Sequence, residues 1–270
     1  MPATLRAVRP LTLLGLATAA VTLTACDDKR GGSITQPLAS PALVKIVHAV
    51  AGAGAVSVRV DDAPTLTNFL YGTVSPNTFS RYLELPEGQR RISVLTANGT
   101  MAIDGTATLT ALQSYTIVAA GAATGTGATA PRLLVLTDNV AAPAAGQVRV
   151  RAVHVAASLG AVDIYTSPPN TAASTATPVY TFTRRFQNVP FLGSGTIEVP
   201  AANYSVCVIA AGTTPTASGA NCRAPVFATG ALAAGTAVTL FARDPNPAVA
   251  AEATGAAAGP RVFAVTDRVP

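Results

Sequence analysis

The residues of this 270-residue chain best suited to chemistry are its only two histidines, His48 and His154. They occupy equivalent places in a repeated stretch, because residues 44–60 align without a gap on residues 150–166. Histidine serves as a general base or a metal ligand, so a repeated histidine could mark a site that is used twice. More commonly, a histidine within a strand is packed, with its ring nitrogens bonded to backbone groups. We interpret both histidines in this second way and keep the repeated site as the alternative.

Neither histidine has the companions that a metal site or a hydrolytic triad requires. A metal ion needs two or three further ligands that converge. Near His154 the sequence offers only Asp163, and the equivalent residue near His48 is Ser57. The sequence also lacks the Gly-x-Ser-x-Gly motif that exposes a serine nucleophile. We therefore predict no catalytic, cofactor-binding or metal-binding residue, and hence a protein that is not an enzyme.

Two pairs of carboxylates recur between the copies. Asp138 and Asp267 each follow a threonine at the end of a closing strand. We expect them to cap turns by accepting backbone N–H bonds, with calcium or ligand binding as the alternative. Glu84 and Glu198 each precede a proline-containing turn, where an exposed charge at a sheet edge discourages pairing with another strand.

The N-terminus has the organisation of an export signal. Residues 1–25 combine a basic start with an apolar run that is too short to span a bilayer comfortably. The sequence Leu23-Thr-Ala-Cys26 resembles the lipobox of bacterial lipoproteins, in which lipid is added to the cysteine and the signal is cleaved before it. The resemblance implies lipidation at Cys26 and anchoring to an outer or inner membrane. The alternative is an ordinary signal peptide with an incidental cysteine.

Two further cysteines, Cys207 and Cys222, lie 15 residues apart in the second copy. In an exported chain such a pair predicts a disulfide. Closing a loop of this size contributes about 3 kcal/mol in the chain-entropy account. Two free buried thiols are the alternative.

Composition favours a β-protein with few charges. The chain is 49% hydrophobic but only 5% aromatic and 11% charged, with 22 Gly, 20 Pro and no Trp. Its net charge of +5 falls to +3 when the two arginines of the signal are removed, and the remaining basic pairs, such as Arg90-Arg91 and Arg184-Arg185, are isolated doublets. Nucleic-acid binding needs a concentrated basic patch, so we predict no nucleic-acid partner.

The repeat predicts the domain organisation. We expect a flexible linker at residues 26–42, a first repeat at 43–140, a short link at 141–147 and a second repeat at 148–270. The spacing between equivalent residues grows from 106 at the histidines to 114 at the recurrent glutamates. We assign the added residues to the loop at 167–178.

Each repeat contains six to eight short alternating runs with turn residues between them, which is typical of a β-sandwich. We therefore predict an all-β chain of two tandem β-sandwiches, of immunoglobulin-like or transthyretin-like type. Residues 44–60 are expected to form the opening hairpin of the first sandwich.

Several motifs together resemble one known family. They are Val-x-x-Val-His-Ala at the start, Gly-Ala-Val-Asp-Ile-Tyr shortly after it, Tyr-Thr-Ile-Val before a glycine, and a closing Leu-x-Leu-Thr-Asp. As a set they resemble the bacterial family catalogued as domain of unknown function 4397, over residues 43–267. The resemblance implies an exported protein, often a lipoprotein, that often carries the domain in tandem, and it implies no activity.

Together these features predict an exported, lipid-anchored protein of the bacterial cell envelope without a cofactor. We expect a binding, adhesion or structural module, attached to the membrane through Cys26, with an envelope protein or polysaccharide as its partner. One alternative is an enzyme acting on glycans or peptides through the two histidines. Another is a carbohydrate-binding module, for which six Tyr, eight Phe and no Trp supply a poor aromatic platform.

Overall fold

The computed structural model describes residues 40–76, 82–168, 179–223, 226–246 and 261–268. The predicted signal, Cys26 and most of the predicted linker lie outside these residues. No helix within the described ranges has the length and apolar character needed to cross a membrane.

The described part of the chain consists of β-strands and one 3-10 turn at Gly127–Thr129. In chain order the strands are β1 Ala42–Ala51, β2 Val56–Val60, β3 Ala63–Phe69, β4 Val74–Ser75, β5 Leu83–Leu85, β6 Gly88–Thr96, β7 Met101–Leu109, β8 Ser114–Ala122, β9 Arg132–Thr137, β10 Gln147–His154, β11 Val162–Ser167, β12 Thr183–Val189, β13 Ser194–Pro200, β14 Asn203–Ala210, β15 Phe227–Ala231, β16 Ala237–Arg243 and β17 Arg261–Arg268.

The strands form four sheets. Sheet A has the order β4-β1-β8-β9, with β5 also pairing β1, and sheet B has the order β3-β2-β6-β7. Sheet C has the order β13-β10-β16-β17, and sheet D has the order β12-β11-β14-β15. Sheets A and B come from the first half of the chain, and sheets C and D come from the second. The all-β prediction and its sandwich architecture are confirmed.

The second half repeats the strand order of the first. In each half the opening strand runs parallel to a later strand, β1 beside β8 and β10 beside β16, while its other neighbours are antiparallel. The last strand of each half then pairs antiparallel with that later strand. The two halves are therefore built on one topology.

The four sheets stack in the order B, A, C, D, because strand alternation directs side chains of the inner sheets to both faces. On β1, Val44 and Ile46 belong to the core between sheets A and B, whereas Val47 and Ala49 belong to a cluster between sheets A and C. A third core fills the space between sheets C and D. Sheets A and C are thus covered on both faces, which explains why β1 is buried over nearly its whole length.

The cluster between sheets A and C joins the two halves. Its buried members are Val47, Ala49, Val118, Ala120, Val153, Val155, Phe241 and Val265. Phe241 stacks on Phe263 with 5.0 Å between ring centroids. All the described residues fall within one compact unit of the chain. The halves therefore share a core in addition to their covalent link.

The repeated stretch at residues 44–60 is not a hairpin, so that prediction is wrong. β1 lies in sheet A and β2 lies in sheet B, and they have different partners. The chain crosses from one sheet to the other at residues 52–55, where Gly52 and Gly54 adopt positive φ angles of 78° and 66°. Alternation of apolar residues marks two strands but does not reveal whether they pair with each other or face each other.

The structure also locates the length differences between the halves. Asn68 and Asn188 take the same unusual φ of 50° at equivalent places, and they are 120 residues apart. The second half has therefore gained about 14 residues before β12, in the predicted loop region. It lacks about six residues later, where the continuous strand β13 replaces the separate strands β4 and β5.

Candidate functional site

His48 lies on β1 and is completely buried. Its ring nitrogen Nε2 is 2.8 Å from the carbonyl oxygen of Gly54, and Nδ1 accepts the backbone N–H of Val50 at 3.3 Å. Because a carbonyl oxygen can only accept a hydrogen bond, Nε2 carries the proton and the ring is neutral. Tyr71 meets the ring edge-on, with 5.6 Å between centroids.

His154 repeats this arrangement in the second half. Its Nε2 lies 2.9 Å from the carbonyl oxygen of Gly160, Nδ1 accepts the N–H of Ala156 at 3.4 Å, and Phe191 takes the place of the tyrosine. Burial lowers the pKa of both His48 and His154 below 6.5, and the bonds to the carbonyl groups oppose this shift. Each histidine thus ties the crossing between two sheets to the opening strand.

Asp138 and Asp267 lie buried where sheets A and C meet, and the prediction that they cap turns is wrong. Asp138 accepts the hydroxyl of Thr116 at 2.8 Å and that of Tyr82 at 3.0 Å. Asp267 accepts the hydroxyl of Thr239 at 2.6 Å. The alternation of the closing strands directs both carboxylates toward the other half, and a buried charge there requires partners.

A buried lysine and a largely buried arginine supply those partners. Lys45 Nζ lies 3.3 Å from Asp267 Oδ1, and Arg151 Nη2 lies 2.7 Å from Asp138 Oδ1. Arg151 Nη2 is also 3.7 Å from Asp267 Oδ2, so the guanidinium lies between the two carboxylates. We call these residues, together with Thr116, Thr239 and Tyr82, the interface ionic cluster.

The interface ionic cluster has an approximate twofold arrangement. Lys45 and Arg151 are equivalent in the two copies, and so are the threonines and the aspartates. Each cation pairs with the carboxylate of the other half. Contacts of this reciprocal kind are typical of twofold dimers, in which the same patch on two subunits meets itself. The two halves of one chain meet here as the subunits of such a dimer do.

A second polar contact crosses the interface near the histidines. The hydroxyl of Tyr71 donates to the backbone oxygen of Asp244 at 2.9 Å, and the guanidinium of Arg243 lies 5.1 Å from the Tyr71 ring centroid. The Asp244 carboxylate in turn accepts the backbone N–H groups of Ala157 and Ser158. The apolar cluster is therefore flanked by polar contacts on the side of the histidines and by the interface ionic cluster on the other.

Part of the chain matches a known protein family. Residues 42–165 match the family model described as "Domain of unknown function (DUF4397)". The matched segment belongs to this family. The DUF4397 segment includes Lys45, Asp138 and Arg151, whereas Asp267 lies beyond its end. No curated protein matches the chain.

Two solved structures show distant likenesses to the chain. One is the Bacillus anthracis TIE protein, at 10% identity and a TM-score of 0.24, covering 76% of this chain and 34% of that one. The other shows alpha-glucan recognition by family 41 carbohydrate-binding modules from streptococcal virulence factors, at 13% identity and a TM-score of 0.26, covering 82% and 95%. The chain spans about a third of the Bacillus anthracis protein. At these TM-scores neither likeness bears on function.

Asp163, near the end of the DUF4397 segment, has a structural role. Its carboxylate is completely buried and accepts the backbone N–H of Asn188 at 2.6 Å and that of Gly212 at 3.2 Å. It thus connects β11 to the end of β12 and to the turn after β14. Ser57, at the equivalent position of β2, is partly exposed. Among the described residues, no group of three or more His, Cys, Asp or Glu side chains is placed to hold a metal ion.

Glu198 lies on β13 at an edge of sheet C. Its carboxylate accepts the backbone N–H of Ala144 at 3.0 Å and pairs with Arg149 Nη2 at 2.8 Å. The bond from Ala144, followed by the contact with Arg149, lowers the pKa of this carboxyl. The edge position agrees with the prediction, and the side chain also holds the link between the halves. Glu84, its counterpart on β5, is exposed.

Beyond the DUF4397 segment, Cys207 and Cys222 form a disulfide, as predicted. Cys207 lies on β14 and is completely buried beside Tyr165 and Ile209. The hydroxyl of Tyr165 also donates to the carbonyl oxygen of Thr213 at 3.3 Å. The disulfide and this bond hold the loop after β14 over the outer face of sheet D.

A groove opens at one end of the second sandwich. It has a volume of about 510 Å³ and is lined by Thr166, Pro168, Thr183, Arg185, Pro200, Ala202, Asn203 and Tyr204. Arg185 Nε donates to the hydroxyl of Thr166 at 2.9 Å, which holds the guanidinium against the groove wall. The hydroxyl of Tyr204 donates to the carbonyl oxygen of Pro200 at 2.7 Å. The groove therefore offers one aromatic ring and several polar groups to a ligand.

Proposed function

We propose that this chain is a non-enzymatic, lipid-anchored protein of the cell envelope, whose paired sandwiches act as a binding, adhesion or structural module. The observation that supports the proposal best is the reciprocal interface between sheets A and C. Apolar packing and paired charges make one body of the two sandwiches, which leaves the outer faces of sheets B and D in a fixed relation. A constant separation between two outer faces suits a protein that spaces or bridges other components.

The outer face of sheet B supports a role in contacts with other molecules. Arg91 of β6 pairs with Asp104 of β7 and with Asp62 in the turn after β2, each at 2.8 Å. All three side chains are exposed. Exposed pairs contribute little to stability, typically less than about 1 kcal/mol. Charges of this kind favour electrostatic complementarity to a partner over stabilisation of the fold.

The anchor and the binding role are tested separately. Cys26→Ser should move the protein from the membrane fraction to the soluble fraction, and an unchanged distribution would overturn the anchor. For binding, the folded chain is immobilised and exposed to purified envelope polysaccharides and to extracted envelope proteins. Arg91→Glu should weaken capture of a partner, whereas Thr108→Ala on the exposed side of β7 serves as the matched control. If the folded chain captures no more material than the unfolded chain does, the binding role is overturned.

A second candidate function is carbohydrate binding in the groove of the second sandwich. Tyr204 supplies an aromatic ring, and Arg185 and Asn203 supply hydrogen-bonding groups, which together suit the apolar face and the hydroxyl groups of a sugar. Titration with soluble glycans should show binding that Tyr204→Ala weakens at least tenfold, while Thr108→Ala leaves it unchanged. Equal affinity in the wild type and in Tyr204→Ala would exclude this site.

A further inference from the structure

Lys45 and Asp267 lie side by side in the interface ionic cluster. Lys45 is 1% exposed and Asp267 is 7% exposed, and Nζ lies 3.3 Å from Oδ1. Nζ also donates to the carbonyl oxygen of Thr266 at 2.6 Å, which holds the amine beside the aspartate's own strand. The two side chains come from opposite ends of the fold, β1 and β17. Their contact is therefore fixed by the packing of sheet A on sheet C.

Burial disfavours the charged forms of both groups. Burial lowers the pKa of the Lys45 amine, and the nearby carboxylates of Asp267 and Asp138 oppose that shift. Burial likewise raises the pKa of the Asp267 carboxyl, against the effects of Arg151 and Lys45. Transfer of one proton from the ammonium to the carboxylate removes two buried charges at once. The product is a neutral amine, which is a nucleophile, beside a carboxylic acid, which is an electrophile.

The other oxygen of Asp267 is held by groups that stabilise negative charge. Thr239 Oγ1 donates to Oδ2 at 2.6 Å, and Arg151 Nη2 lies 3.7 Å from the same atom. Attack of an amine on the carboxyl carbon places negative charge on this oxygen, and prearranged donors lower the barrier to such a step. The Tyr82 ring lies 4.5 Å from Nζ and covers the amine. The Tyr82 hydroxyl donates to Asp138, which holds the ring in place over the amine.

We propose that Lys45 and Asp267 condense to an amide bond that links the two halves covalently. Lys45 Nζ forms a bond to Asp267 Cγ, and the bond from Cγ to Oδ1 breaks. Nζ loses one proton, Oδ1 leaves as water after protonation, and Oδ2 becomes the amide oxygen. The reaction consumes one amine and one carboxylic acid, needs no oxidant or other reactant, and releases one water molecule. Groups held in contact in this way react with effective molarities of about 10⁵ to 10⁸ M, which offsets the tendency of water to reverse the reaction.

The equivalent ion pair of the twofold arrangement provides an internal contrast. Arg151 and Asp138 occupy the positions that correspond to Lys45 and Asp267, at a closer 2.7 Å. A guanidinium stays protonated in proteins and is not a nucleophile, so this pair remains ionic. The approximate twofold arrangement thus contains one reactive pair and one unreactive pair. A single crosslink is expected in each chain.

Mass spectrometry tests the crosslink on the wild-type chain. After reduction of the disulfide, digestion with trypsin should yield a branched peptide that joins residues 31–59 to residues 262–268, with the combined mass lowered by one water molecule. Cleavage after Lys45 should be blocked. Linear peptides that end at Lys45, with no branched species after prolonged incubation of the folded protein, would leave only an ion pair and overturn the proposal.

A nicking experiment gives an independent readout. A protease site is inserted into the link at residues 141–147, and the folded protein is cut there and run on a denaturing, reducing gel. The two halves should migrate together in the wild type and separately in Lys45→Arg, which keeps the positive charge but has no reactive amine. Thr239→Val should slow formation of the joined species. Separate migration of the wild-type halves would contradict the crosslink whether or not the variants fold.

Discussion

Arg151 Nη2 lies 2.7 Å from Asp138 Oδ1, and this ion pair joins the opening strand of the second half to the end of the first. The equivalent residues Lys45 and Asp267 make the reverse connection. Each half thus supplies one cation and one carboxylate to the same buried cluster. A substitution at either pair is therefore expected to affect the association of the halves as well as the stability of one sandwich.

Removing one charge of this pair should be strongly destabilising. Asp138→Ala leaves Arg151 buried without its closest partner, and breaking a buried pair in this way costs about 3–5 kcal/mol. Urea unfolding followed by circular dichroism measures the loss. The double variant Asp138→Leu with Arg151→Met should recover most of it, because neither member of this pair is then left as an unpaired buried charge. A loss below about 1 kcal/mol in Asp138→Ala, the level of an exposed pair, would show that water reaches the cluster.

The shared apolar cluster should make the two halves unfold together. Phe241 is completely buried between sheets A and C, and truncation of such a residue to alanine costs about 3–5 kcal/mol. We expect one calorimetric transition in the wild type and two in Phe241→Ala, because the variant loses the contact that couples the halves. Leu70→Ala is the control, since Leu70 is 55% exposed. Two transitions in the wild type would contradict the coupling.

The histidines should make stability depend on pH. Because burial lowers the pKa of His48 and His154 in the folded protein, the unfolded chain binds more protons below about pH 6.5. At higher pH the free energy of unfolding should stay constant. As the pH decreases from this point, the free energy of unfolding should decrease by at most about 1.4 kcal/mol per pH unit for each histidine, until the pH passes the folded-state pKa. Unfolding measured between pH 5 and 7 tests this dependence. The variant with glutamine at both positions should show a flatter profile, and an unchanged slope would refute the assignment.

The disulfide lies wholly in the second half and should raise the free energy of unfolding of the chain. Its 15-residue separation corresponds to about 3 kcal/mol in the chain-entropy account. The double variant with alanine at Cys207 and Cys222 should lose stability by this order in chemical unfolding. Mild reduction of the wild type should have the same effect, which separates the loss of the bond from the loss of packing by the sulfur atoms. No difference between reduced and oxidised protein would show that the loop is held by Tyr165 and its neighbours.

Much of the fold follows from local sequence, but the pairing of strands does not. Alternation at residues 44–60 identifies β1 and β2, yet the same pattern fits a hairpin or two strands in facing sheets. Gly52 and Gly54 permit either kind of turn. The choice depends on β8, which lies beside β1 in parallel and is far away in sequence.

The interface ionic cluster could have been found from the repeat. Lys45 aligns with Arg151 and Thr116 aligns with Thr239, so polar residues recur at positions that alternation turns away from each sandwich's own core. In an isolated sandwich such positions would face solvent, and the position of Asp138 and Asp267 at strand ends predicted only that they cap turns. Only the packing of one half on the other gives them buried partners. That packing depends on two complete surfaces rather than on any local pattern.

The parallel pairing of β1 with β8 determines how the protein would respond to a pull. β1 is hydrogen-bonded to β8 along nine residue pairs and has β4 and β5 on its other side. If Cys26 is the anchor, tension enters at Ala42 through 16 residues of chain, which reach at most about 55 Å when extended. A load along β1 would have to shear these bonds all together rather than open them one at a time. The first strand of the fold is placed where a tethered protein needs mechanical strength.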